Sequence, residues 1–405
     1  MRSTLRTPAG FALVAILLTI AGCAATIVRN PVPRALVNQA EVIGMGDVRF
    51  WGDALPAGFD ALVVERIAQL RRYRPELIRP GARPVVSHLA ISGGGDNGAF
   101  GAGLLIGWND AGTRPTFEIV TGISTGALTA PFAFLGPAYD AQLKEVYTTY
   151  RTDQLATPQF IKGLLGGPAV ADNTKLAGVI AKYVDARMLA EIAREHAKGR
   201  RLLIGTTNLD AQRPVIWDMG AIASGANKKR ALALFRKVLL ASSAIPGVFP
   251  PVHIDVIAGG ERHEEMHVDG GATAQVFFLP TQFHVAPYDR KLRVKPRRRL
   301  YIIRNVKVTP EWEAVQPRFT KIAGRSLSTL MKNQAIGDLY RLYVAARRDK
   351  IAFNLAAVPG DFDKESTEPF DPAYMSALFA VGYNLGRNGY HWSHAPPGLI
   401  AANDN

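Results

Sequence analysis

Apolar residues follow two rhythms along this chain. Short, nearly unbroken runs read as strands: "VVSHLAI" (85–91), "FEIVTGI" (117–123), "RRLLIGTTNL" (200–209), "PVIWDM" (214–219), "EMHVDG" (265–270) and "RLYIIRN" (299–305). Between them lie stretches with helical spacing. "FDALVVERIAQLRRY" (59–73) carries basic residues near its end, which suits a helix dipole. "NGAFGAGLLIGWNDAG" (97–112) reads as a helix whose glycines point to close backbone packing. "TGALTAPFAFL" (125–135) is a helix interrupted by Pro131. "KKRALALFRKVLLASSAIP" (228–246) starts as a helix and ends at Pro246, and residues 322–348 keep a strong helical period. Such alternation predicts an α/β fold, a central mostly parallel sheet flanked by helices in three layers. The sequence shows no internal repeat.

Punctuation divides the chain into four segments. Residues 1–22 form an apolar leader. Residues 23–84 read as a tether (24–56, rich in Pro, Gly and polar residues) followed by the 59–73 helix and the breaker "RPGARP". The main domain begins near Val85 and runs to 285. Residues 286–405 would complete or cap it. With 405 residues and 48% apolar content, the chain can bury a sizeable core. The net charge of +14 favours anionic surfaces, above all lipid head groups or nucleic acid, and names no fold; of the two, no nucleic-acid partner is expected. The basic run from Arg290 to Arg299 reads as a solvated lead-in to a strand or as an anionic-lipid contact.

The leader, "MRSTLRTPAGFALVAILLTIAGC", has a basic start (Arg2, Arg6) and an apolar stretch, 11–20, too short to span a bilayer comfortably. "IAGC" resembles a bacterial lipobox, in which the signal is cut before a cysteine that carries the lipid. That would make residues 1–22 a lipoprotein signal peptide and Cys23 the lipidation site. Ala24 after the cysteine points to the outer membrane, with the folded domain periplasmic or surface-exposed. The alternative is an uncleaved signal anchor. Cys23 is the single cysteine, so no intramolecular disulfide can form.

Directly after the first strand comes "SGGGDNGAFGAG" (92–103). As Gly93-x-Gly95-x-x-Gly98 it fits a dinucleotide fingerprint, but that needs an acid at the end of the next strand, and Glu118 stands at its start. As a phosphate loop it lacks the Gly-Lys-Ser/Thr. As an oxyanion hole it works: the backbone N–H groups of Gly93, Gly94 and Gly95 can converge without Cβ obstruction at a helix N-terminus. "GISTG" (122–126) follows the second strand. A right-handed βαβ unit brings both loops to one edge of the sheet, so Ser124 faces the glycine amides. Gly122 and Gly126 allow a tight turn that exposes the serine. The base is open between a histidine (His196, His253, His263, His267, His284, His391 or His394) and Asp269 in "HVDGG", where Gly270 and Gly271 permit a sharp turn. "SSAIPGVFPP" offers Ile245, Val248 and Phe249 as a wall for an acyl chain.

Together, "GGGDNG", "GISTG" and "DGG" resemble the patatin-like phospholipases. "LAISGGGDNGAFGAGLL", "GTTNLDAQRPVIWD" (205–218) and "ASSAIPGVFPPV" (241–252) agree, and the resemblance covers about half of the chain, residues 85–280. It implies an α/β fold, a Ser–Asp dyad and hydrolysis of fatty acyl esters of lipids without metal or cofactor. Ser124 would be the nucleophile, Asp269 the base, and Gly93, Gly94 and Gly95 the oxyanion donors. Many members carry Arg or Lys before the last glycine of the loop; this chain has Asn97. The expected partners are a phospholipid or other acyl-ester lipid and, through Cys23, a membrane. Two other readings stand beside this one: a non-catalytic lipid- or protein-binding lipoprotein, and an esterase with a Ser–His–Asp triad.

Overall fold

The structure, a computed structural model, describes residues 29–56, 58–159 and 168–399. The expected signal peptide, residues 1–22, and Cys23 lie outside the described residues. Ten strands form one mixed sheet. They are β1 (Glu41–Val42), β2 (Arg49–Trp51), β3 (Val85–Ile91), β4 (Phe117–Ile123), β5 (Arg201–Asn208), β6 (Arg213–Asp218), β7 (Val252–Ala258), β8 (Glu261–Asp269), β9 (Arg297–Lys307) and β10 (Ile351–Val358). Their order is β1-β7-β8-β5-β4-β3-β9-β10, with β6 also on β5 and β2 on β6. The centre, β5-β4-β3-β9-β10, is parallel throughout. The other pairings are antiparallel. β4 is buried along its whole length, as expected of a central parallel strand covered on both faces.

The longer helices are α1 (Phe59–Tyr73), α2 (Gly98–Asp110), α3 (Thr125–Leu135), α4 (Asp140–Thr148), α5 (Thr174–Tyr183), α6 (Ala186–Ala197), α7 (Lys228–Ser242), α8 (Phe319–Arg348) and α9 (Pro372–Arg387). Among the described residues, no helix is long and apolar enough to cross a membrane. α2 is the best buried, and its glycines have a clear packing role. A Cβ at Gly103 would stand 2.1 Å from the Phe379 carbonyl oxygen, and one at Gly382 would stand 2.2 Å from that of Phe100. Glycines on both helices thus let α2 and α9 approach backbone to backbone. The C-terminal segment is therefore structural core: β9 and β10 extend the parallel sheet and α9 seals α2.

The expected tether is corrected. Within the described part of 24–56, β1 pairs with β7 and β2 with β6. Ion pairs of Arg29 with Asp210 and Glu264, and of Arg49 with Glu265, add to the attachment. The segment is apolar where it matters: Val42 and Val48 are buried. Helix ends also shift. α7 stops at Ser242, before Pro246, and α8 starts at Phe319. Pro131 sits inside α3.

Candidate active site

The register of β5 brings the site together. On one edge of β5, β4 runs alongside it and ends with Ile123 opposite Gly205. On the same edge, β8 arrives from the other direction and ends with Asp269 opposite Thr206. The other edge is taken by β6. The tips of β4 and β8 therefore meet head to head, and the residues at those tips, Ser124 and Asp269, become neighbours.

Ser124 has φ 55° and ψ −125°, a left-handed turn that L-residues rarely adopt. Three close approaches hold it there. A Cβ at Gly122 would lie 2.3 Å from the Gly126 carbonyl oxygen, and one at Gly126 would lie 2.4 Å from that of Ile91. The Ser124 N–H donates to Ser242 Oγ at 3.0 Å, and Ser242 in turn donates to the Gly205 carbonyl at 2.7 Å. α3 starts at the next residue, so the positive end of its dipole lies at the serine. Tyr147 pins that end: its hydroxyl lies 2.6 Å from Thr125 Oγ1 and 2.8 Å from Thr129 Oγ1. Gly98 makes room for this contact, since a Cβ there would be 2.1 Å from Thr125 Oγ1.

Asp269 is 5% exposed. Its Oδ1 accepts the Gly271 N–H at 2.7 Å, and its own N–H donates to the Ala244 carbonyl at 2.9 Å. A Cβ at Gly270 would lie 2.6 Å from the Gly205 carbonyl oxygen, so only glycine fits there. Burial pushes the Asp269 carboxyl up from 3.8 to about 6; the Ser124 hydroxyl and the Gly271 amide oppose that shift. A carboxylate is thus held beside a buried serine hydroxyl and tuned towards neutrality, the range useful to a general base.

The glycine loop corrects one expectation. The Gly93 N–H is already spent on the Gln275 carbonyl at 3.1 Å, so Gly93 is not an oxyanion donor. Its role is proximity: a Cβ there would be 3.2 Å from the Ser124 Cβ. Gly94 and Gly95 remain, their amides without an acceptor among the described residues. Gly94 has φ 153° and no space for a Cβ, which would lie 2.9 Å from that of Asn305.

Sequence reasoning missed the residues that hold this loop. Asn305 donates from its N–H to Ser92 Oγ (3.0 Å) and from Nδ2 to the Ser92 carbonyl (2.9 Å), and its Oδ1 accepts the Gly101 N–H (3.1 Å). The Gln275 N–H donates to Asp338 Oδ2 at 2.7 Å, and its Nε2 donates to the Gly271 carbonyl at 2.8 Å. Arg304 lies buried behind the loop, with Nη1 3.5 Å from the Gly93 carbonyl oxygen. Asn97 accepts from the Tyr374 hydroxyl.

An apolar pocket opens at Gly95 and Ser124 and runs between α3, α5 and α7. Leu128, Phe132, Leu176, Ile180 and Leu239 line it, together with Ile245 and Phe249 from the predicted acyl wall. Val248 is not on that wall; it is 39% exposed. No histidine lines the pocket. His196, His253, His267 and His284 face carboxylates elsewhere, and His394 faces the Phe353 carbonyl. The histidine triad therefore loses its base.

Residues 89–281 match the family model described as patatin-like phospholipase. The chain carries a patatin-like phospholipase domain. The matched segment begins in β3 and ends after β8, so it contains the glycine loop, Ser124 and Asp269. No curated protein matches the sequence. Two solved structures are distant matches. VipD from Legionella pneumophila is 11% identical, with 76% of this chain and 67% of that one covered at a TM-score of 0.37. Human GIVD cytosolic phospholipase A2 is 11% identical, with 79% and 55% covered at a TM-score of 0.32. The matched segment, 89–281, is embedded in a longer α/β unit, to which β9, β10 and α9 contribute.

Proposed function

We propose that this patatin-like protein is a serine hydrolase of lipid acyl esters, of phospholipase A or lysophospholipase type, working through Ser124 and Asp269. The observation that carries the reading is the meeting of the β4 and β8 tips on β5, beside a pocket walled by apolar side chains.

The chemistry follows from the groups present. The ionised Asp269 carboxylate takes the proton of Ser124 as Oγ attacks the ester carbonyl carbon. The carbonyl π electrons move to oxygen, and the N–H groups of Gly94 and Gly95, with the α3 terminus, stabilise that oxyanion. Collapse expels the alcohol (a lysolipid or glycerol derivative), which leaves with the proton held by Asp269. The acyl chain stays on Ser124 and lies in the apolar pocket. Water then gives a proton to Asp269 and attacks the acyl-enzyme. A second oxyanion forms, and its collapse releases the fatty acid and returns the proton to Ser124.

Membrane anchoring through an acylated Cys23, with placement in the outer membrane, belongs to the same proposal. Incorporation of labelled palmitate in the wild type and its loss in Cys23→Ala would test it. For the chemistry, fatty-acid release from phospholipid vesicles and p-nitrophenol release from a short ester are followed in the wild type, Ser124→Ala and Asp269→Asn. Both variants should lose hydrolysis while staying folded. Activity surviving in Ser124→Ala would overturn the assignment. A folded wild type silent on both substrates would favour a lipid-binding role for the same fold.

A further inference from the structure

The first half of α8 stands clear of the core and leaves an apolar face in solvent. At 100° per residue, Phe319, Ile322, Ala323, Ser326 and Leu330 share one face, and Lys321, Arg325 and Lys332 share the opposite one. In a helix packed on a core, the apolar face would turn inward. Here Phe319 is 86%, Ile322 51%, Leu327 52% and Leu330 69% exposed. On the opposite face, the Arg325 and Lys332 side chains are only 31% and 21% exposed. They bind the preceding strap, residues 308–318: Arg325 pairs with Glu313 and Lys332 with Glu311. The strap adds Trp312, which is 90% exposed.

This surface is tied to the active-site scaffold through the chain, although it does not line the pocket. The strap leaves the end of β9, where Asn305 grips the glycine loop. Further along the same helix, Asp338 holds Gln275, whose carbonyl takes the Gly93 N–H.

We propose that the strap and the first half of α8 dock on an anionic bilayer, with Trp312, Phe319, Ile322 and Leu330 entering the head-group and acyl boundary. Charge selects this occupant. With Glu311 and Glu313 already paired, Arg318 and Lys321 are left over at the helix start, on a chain of net charge +14. Two copies docking through this face would set those cations against each other, whereas anionic lipid complements them. Aromatic residues among cations and aliphatic side chains are the composition of an interfacial helix. The inference rests on the lipid-hydrolase reading for its purpose and not for its physics: docking would hold the protein at the bilayer that carries its substrate.

Trp312 is its own probe. The full chain, as Ser124→Ala so that lipid stays intact, is mixed with vesicles of phosphatidylcholine containing about 30% phosphatidylglycerol, brominated in the acyl chains. The quenching that disappears in Trp312→Phe reports Trp312 alone, whatever the N-terminus does. The expected result is strong Trp312-specific quenching that weakens when phosphatidylglycerol is omitted. A second arm compares wild type with the exposed-face double variant Phe319→Glu, Leu330→Glu. It should lose about tenfold or more in vesicle hydrolysis and keep its rate on a soluble short ester. Absence of Trp312-specific quenching would overturn the proposal. So would a Trp312 shielded in a dimer before vesicles are added. A chain that docks but hydrolyses neither substrate would sink the function and leave the docking standing.

Discussion

Replacing Asp269 by Asn should stabilise the protein, and by an amount that depends on pH in a defined way. In the fold, the Asp269 carboxyl titrates at about 6 instead of 3.8, chiefly because burial penalises its charge. The gap of about two pH units is worth about 3 kcal/mol. The sign follows from linkage. A raised folded pKa means that protonation favours the fold, so the site is least costly below pH 3.8 and becomes a burden as pH rises through about 6. Asparagine never ionises and can still accept the Gly271 N–H. The stability gained by Asp269→Asn should therefore grow from about 0.6 kcal/mol at pH 4 to about 3 kcal/mol at pH 7, then level off. Urea unfolding of both proteins between pH 4 and pH 8 measures this. All other titrating groups are common to the pair and cancel, and any fixed difference in hydrogen bonding shifts the curve without changing its slope. A difference that stays flat across the range, or shrinks as pH rises, would refute the reasoning and with it the idea that the fold holds a strained base.

Three further outcomes are expected. The kcat/KM for a soluble ester should rise with pH through about 6 and then plateau, because only ionised Asp269 accepts the serine proton; a profile without a limb near that value would argue against Asp269 as base. Asn305→Ala should strand the buried Gly101 N–H and Ser92 carbonyl, costing about 2–4 kcal/mol in urea unfolding, and should lower kcat more than it raises KM. Ile180→Trp should shorten the pocket, so that a long-chain p-nitrophenyl ester loses about tenfold or more relative to the butyrate, and equal losses on both would mean that the acyl chain lies elsewhere.

Local pattern was a reliable guide where an element is bounded by its own chemistry. The strands 85–91 and 117–123 and the helices 59–73 and 125–135 have the predicted limits. Each is flanked by glycine, proline or a sharp change in polarity. The same holds for the site: "GISTG" and "HVDGG" are readable because tight turns demand glycine at fixed offsets. What could not be read is whatever depends on a distant partner. Asn305 and Gln275 stand in no motif, and the loop residues they hold, Ser92, Gly93 and Gly101, come from far earlier in the chain. The sequence offers three glycine amides, but only the fold shows that one is already taken by Gln275. Residues 34–51 look like linker because strands of two or three residues leave too little pattern to see. The helical period of α8 defines its two faces, and only the assembled sheet decides which of them meets water.

The head-to-head arrangement of β4 and β8 on β5 also bears on how safely such a protein can be made. Ser124 follows β4 in the β3–α2–β4 unit, while Asp269 reaches it only when β8 pairs with β5. The two residues come from distant parts of the chain, so joining them costs more loop-closure entropy than winding the βαβ unit. A partly folded chain with β3, β4 and β5 in place would hold a nucleophile without its base and without a finished pocket. On this account, a chain caught in that state would be harmless to a membrane, and hydrolytic power arrives only when β8 pairs with β5.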